Sequence, residues 1–87
     1  MVYTIYAIRS SVDKRIYVGF TKTLDKRLKE HDKGKTKSTK GYRPWELFYT
    51  ETVETREEAR IREKYLKSGM GKRYISNRLR SFLTLTG

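Results

Sequence analysis

Of the ten acidic residues, Glu63 is the one that solvation explains least. It follows Ala59 by four residues and precedes Leu66 by three, so on a helix its carboxylate falls on the apolar face. A carboxylate placed there must be ion-paired, protonated or bound to a cation. Arg27 and Arg62 are the candidate ion-pair partners. Mg2+ or Mn2+ is the candidate cation, because these hard ions take oxygen ligands and bind through one or two carboxylates together with a substrate phosphate. One isolated carboxylate supports one metal rather than a bridged pair. Tyr6 and Tyr17 are the second feature, on two strands of opposite direction that can present both rings on one face. Gly19 lets another group approach closely there, and ordinary aromatic packing is the alternative. A phenol has a pKa of about 10, so base chemistry at neutral pH needs positive charge nearby. Arg27 and His31 are four residues apart and share a helix face. The arginine is either a bidentate fork for a phosphate or a surface charge. The histidine can orient a tyrosine hydroxyl or relay a proton, or simply be packed on its helix.

Charge supplies the wider setting. Lys and Arg number 21 against 10 acids, a net +11. The excess is uneven: residues 22–44 carry nine bases and three acids, and residues 64–87 carry six bases and no acid. Such blocks match a polyanion, and nucleic acid is the expected partner. The expected phosphate contacts are Lys35, Lys37, Lys40 and Arg43 in a loop, with Lys72 and Arg73 on the last helix. The absence of cysteine excludes a disulfide, a thiol nucleophile and a Cys-based zinc site, and one histidine excludes a His-rich metal site. Apolar runs of only a few residues and a start without a basic, then apolar, segment predict no membrane association and a cytoplasmic protein. No small-molecule cofactor is expected.

The elements that must position these residues follow from hydrophobic period. Val2 to Arg9 reads as a strand with apolar groups on both faces, hence a central one. Arg15 to Phe20 forms a hairpin with it. Thr21 or Thr23 caps a helix from Leu24 to Lys33, ended by Gly34. A third strand spans Trp45 to Val53. Thr55 and Glu58 form a capping box that opens a helix to about Ser68, with Ala59, Ile61, Tyr65 and Leu66 as inward candidates. Gly69 and Gly71 read as breakers before a final helix from Lys72 to Leu83, with Ile75, Leu79 and Phe82 inward. The result is a single α/β domain over residues 1–87, with a three-stranded sheet flanked by helices in the order β-β-α-β-α-α.

The stretch Thr4-Ile5-Tyr6, ten intervening residues and Tyr17-Val18-Gly19 resembles the paired signature of the GIY-YIG nucleases. The resemblance continues through Leu24, Arg27, Leu28 and His31, then through Glu57, Ala59, Arg62, Glu63, Leu66 and Lys67, and covers most of the chain. Thr4 stands where the first motif has its glycine, and Val18 replaces isoleucine. The resemblance implies an antiparallel sheet, an active-site set of Tyr6, Tyr17, Arg27, His31 and Glu63, and one divalent metal held by Glu63. It also implies an endonuclease for nucleic acid, with DNA the expected substrate and weak or structure-based selectivity. Tyr6 is the preferred general base with His31 on its hydroxyl, although the two tyrosines can exchange roles. Asn77, the only asparagine, is matched to an asparagine that many members carry. The alternative is a nucleic-acid-binding module on the same fold that does not cut.

Overall fold

The computed structural model describes residues 2–34 and 40–86. Chain order is β1 (Tyr3–Ser10), β2 (Ile16–Thr21), α1 (Leu24–Asp32), a 3-10 turn (Lys40–Tyr42), β3 (Trp45–Val53), α2 (Arg56–Leu66) and α3 (Gly69–Thr86). The sheet is antiparallel with strand order β2-β1-β3, so the strand that is apolar on both faces is indeed the central one. Ile5, Tyr6, Ala7 and Ile8 are all essentially buried. Alternation sends Ile5 and Ala7 to one face, where they pack with Val18, Phe48, Ala59, Leu66 and Ile75 beneath α2 and α3. Tyr6 and Ile8 go to the other face, with Trp45, Tyr17 and the Leu24 and Leu28 of α1. Each large apolar side chain taken fully from water contributes about 1.5–3 kcal/mol. A sheet covered on both sides is therefore what lets so short a chain gather enough buried area.

Local chemistry sets the boundaries. The Thr55 hydroxyl accepts from Glu58 N at 3.1 Å and donates to the Glu58 carboxylate at 2.9 Å, which fixes the start of α2. Gly34, at φ +76°, takes the left-handed conformation after α1. In the β1–β2 turn the buried Ser10 hydroxyl donates to Tyr42 O at 2.6 Å and accepts from Val12 N and Asp13 N.

Two expectations change. The last helix starts at Gly69, not Lys72, so the two glycines belong to its first turn. Gly71 is there for proximity: a Cβ on it would collide with Tyr65 O and Leu66 Cα, so only glycine lets α3 close on the end of α2. Ile61 and Tyr65 are not inward. Ile61 is 66% exposed, and Tyr65 lies on the outer side with the Arg62 guanidinium 5.0 Å from its ring centre. Ala59 and Leu66 alone carry the buried seam of α2. Among the described residues no helix is long and apolar enough to cross a membrane.

Candidate active site

Strand register brings the first part of the site together. Tyr6 is opposite Gly19, and Ile8 is opposite Tyr17. The tyrosines are therefore diagonal neighbours on one face, with ring centroids 6.3 Å apart. Both rings lie across Gly19. A Cβ there would sit 2.8 Å from Tyr6 Oη, 3.0 Å from Tyr6 Cζ and 3.1 Å from Tyr17 Cε1. The glycine of the second motif is thus the floor on which both phenols rest.

From above, α1 lowers His31 onto the pair. Its ring centroid is 5.8 Å from that of Tyr6 and 5.0 Å from that of Tyr17, and its Nε2 meets Tyr6 Oη at 2.9 Å. His31 is fully buried. Burial first, and then the neighbouring Arg27 charge, hold it below the usual histidine range, so it is neutral near pH 7. Tyr6 is only 1% exposed, and burial pushes its hydroxyl up to about 12 despite the opposing pull of Arg27. Arg27 is held above its ordinary range, chiefly by Tyr6 and also by Glu30, whose carboxylate accepts from Nη1 at 3.1 Å.

Neither arginine weighed as a partner for Glu63 takes it. Arg27 pairs with Glu30, while Arg62 makes two hydrogen bonds of 3.0 Å to the carboxylate of Glu51. Glu63 instead faces Lys67 one turn on, at a loose 3.7 Å, with its side chain 25% exposed. Lys67 also stands 5.9 Å over the Tyr17 ring, and the Glu63 charge acts on the Tyr6 hydroxyl. The structure therefore packs Tyr6, Tyr17, Arg27 and His31 together and sets Glu63 beside them. The meeting point is the β2 side of the sheet, where α1 and α2 approach from opposite faces. Lys67 belongs to the stretch that carries the family resemblance but is given no role there, although its i, i+4 spacing from Glu63 is a readable signal. Nothing in composition marked Glu30 as the partner of Arg27 except i, i+3 spacing.

A carboxylate that is mostly buried, bound to no arginine and only loosely paired with a lysine has lone pairs to offer a hard cation. Among the described residues no three His, Asp or Glu cluster as a metal cage. The donor set thus fits one ion held by Glu63, water and a substrate oxygen.

The expected phosphate contacts are dispersed. Lys35 and Lys37 lie outside the described residues. Lys40 and Arg43 border a depression at the end of α1. There the Arg43 guanidinium donates to Lys40 O at 3.0 Å and Asp32 O at 3.5 Å, which ties it to the backbone. Lys72 lines a separate cavity with Lys14 and Lys67, and Arg73 borders a third depression with Met70. Asn77 is exposed on α3.

This fold is that of a known class. A family model described as the GIY-YIG catalytic domain matches residues 2–79, and the chain belongs to that nuclease family. Similar proteins include the UPF0213 protein of Clostridium perfringens, 43% identical over 63% of this chain and 60% of the relative. Another from Bacillus velezensis is 40% identical over 79% of this chain and 74% of the relative. The match thus spans less than two thirds of the Clostridium protein. The solution structure of a UPF0213 protein from Bacillus halodurans superposes with a TM-score of 0.55 at 31% identity, covering 88% of this chain and 84% of that one.

Proposed function

We propose that this protein is a metal-dependent endonuclease that hydrolyses phosphodiester bonds in nucleic acid, with DNA as its main substrate. One observation carries the reading: two tyrosines lie across a single glycine, a buried histidine and an arginine engage the hydroxyl of Tyr6, and a carboxylate paired only loosely with a lysine stands beside them.

Burial supports different roles for the two tyrosines. At a pKa of about 12, only about one Tyr6 in 10⁵ is ionised at pH 7. Its hydroxyl is buried and engaged with His31, so Tyr6 is the anchor of the cluster and donates its O–H to Nε2. Tyr17 is half-buried, faces the cavity beside Lys67 and is the phenol within reach of solvent. Tyr17 Oη, as the phenolate, therefore takes the proton from the attacking water, and Lys67 stands over its ring. Arg27 presents the rest of its planar fork to the scissile phosphate and offsets the charge that builds on its oxygens. Glu63 would hold one Mg2+ or Mn2+. When bound, that ion supplies Lewis-acid stabilisation of the phosphate and of the leaving oxygen. Basic side chains outside the cluster grip the backbone on either side and carry no sequence information.

The test is supercoiled plasmid incubated with purified protein in Mg2+ and in EDTA. Wild type should nick and linearise it only with metal. Glu63→Gln should lose cleavage while binding DNA within a few-fold of wild type, because the substitution removes a ligand oxygen and not a phosphate contact. Cleavage by the Gln variant would remove Glu63 from the role, and binding without cleavage by wild type would favour the non-catalytic module.

A further inference from the structure

A cavity of about 560 Å³ opens beside Tyr17, between β2 and the α2–α3 junction. Its apolar lining is Ile16, Val18, Leu66 and Ile75. Three of these are core residues, whereas Ile16 is 37% exposed and has its outer surface uncovered. The charged lining is Lys14, Lys67 and Lys72, and no acidic residue lines it. Three ammonium groups around an apolar floor complement a ligand with a flat apolar body and an anionic edge. A nucleotide has both, and the volume is in the range of small-molecule sites. A base inside a duplex cannot enter, since it is stacked and paired, so the occupant must already be unpaired or be extruded.

The backbone at Lys14 is an independent sign. It has φ +69°, the left-handed conformation that glycine or asparagine adopts at low cost and lysine does not. A turn selected for stability alone would carry glycine there. The turn sets Lys14 on the rim of the cavity, with its ammonium 3.4 Å from Ser11 O, and a non-glycine residue held in this conformation motivates a functional hypothesis.

Building on the nuclease reading above, we propose that this cavity is the subsite for one unpaired nucleotide next to the scissile phosphate. Its base lies on Ile16 and Val18 beside Tyr17, and its phosphate is held by Lys14 and Lys72. The enzyme accordingly selects substrates that present an unpaired nucleotide, such as a bulge, a flap or a single strand, over continuous duplex.

The experiment measures binding in EDTA, so that nothing is cut. The probes are a fully paired duplex and the same duplex with one bulged fluorescent adenine analogue. Wild type should bind the bulged duplex about tenfold tighter, the lower range for one stacked base, and the analogue's emission should change as its base enters the cavity. Lys14→Gly should lose most of that preference while melting no lower than wild type. Ile16→Thr, which keeps strand propensity but shrinks the apolar floor, should weaken the bulged complex and leave the paired one unchanged. Equal affinity for the two probes, or an undiminished preference in both variants, overturns the proposal. If wild type also cuts paired plasmid with Mg2+, the nuclease reading survives that result. If neither probe binds, both readings fall.

Discussion

Replacing Gly19 by alanine tests whether the tyrosine cluster is held as tightly as its geometry indicates. The added methyl would start 2.8 Å from Tyr6 Oη, and ordinary contact begins at 3.4 Å, so the hydroxyl must retreat by about 0.6 Å. It has little room to do so. On its far side it is hydrogen-bonded to His31 Nε2 at 2.9 Å, and Tyr17 Cε1 stands 3.1 Å from the same methyl. Overpacking of this kind costs about 1–3 kcal/mol. Relief from the entropy of a strand glycine returns about 0.5–1 kcal/mol, which leaves a net loss of roughly 0–2.5 kcal/mol. The effect on turnover should be larger, because misplacing a reacting group by about 1 Å can cost on the order of 10²-fold. We expect kcat for plasmid nicking to fall by about 10- to 100-fold, with DNA binding little changed. In a Tyr6→Phe background the 2.8 Å contact no longer exists, so adding Gly19→Ala should cost less than it does alone. Melting curves and nicking rates for the four proteins of the cycle measure this directly. If Gly19→Ala cuts at the wild-type rate, or if the two changes are strictly additive, the rings are not locked over the glycine and the reasoning fails.

Three further outcomes follow from the same geometry. Tyr17→Phe should reduce cleavage by about 10²–10⁴-fold with a nearly unchanged melting temperature, whereas Tyr6→Phe should also lower stability because it deletes the buried hydrogen bond to His31; the reverse pattern would return the base role to Tyr6. His31 is held neutral by burial, so its contribution to stability is fully present above about pH 6.5 and is lost as pH falls through its lower folded value. Melting temperature should therefore drop as pH falls below about 6.5 in wild type, and His31→Gln should flatten that dependence. Binding to continuous duplex should show a log–log salt slope near −4 to −5, corresponding to roughly four to six phosphate contacts, and Lys37→Ala with Lys40→Ala should make it shallower by about one to two; a flat dependence or a strong preference between unrelated duplex sequences would exclude backbone gripping.

The fold was legible because it is written in periods. Both faces of β1 carry apolar residues, and the strand is central; Thr55 and Glu58 announce α2, where the Thr55 hydroxyl accepts from Glu58 N as the pattern implies and the carboxylate accepts from that hydroxyl. The errors lie where one residue type serves two physical ends. Gly69 and Gly71 look like breakers by propensity, yet Gly71 is selected for the close approach of α3 to Leu66, a contact that local sequence does not encode. Ile61 and Tyr65 are apolar enough to count as inward, but a seam of only Ala59 and Leu66 suffices because the short side chain of Ala59 brings α2 close to the sheet.

The same distinction separates the readable and unreadable parts of the site. Tyr6 and Tyr17 were marked by alternation, and Arg27 with His31 by helical spacing, because each pair sits within elements that periodicity resolves. Periodicity also put Glu63 on the apolar face of α2, whereas Lys67 and Lys14 lie at the β2 edge, where elements from both faces meet. Glu51 reaches Arg62 across the fold and Glu30 takes Arg27 within α1, so both arginines that sequence offered to Glu63 are engaged and that carboxylate faces a lysine one turn on. An edge strand is also where a sheet has room for a ligand. A cavity lined from both sides of β2, with Tyr17 shared between it and the cluster, follows from the place of Tyr17 on that edge strand rather than on the central one.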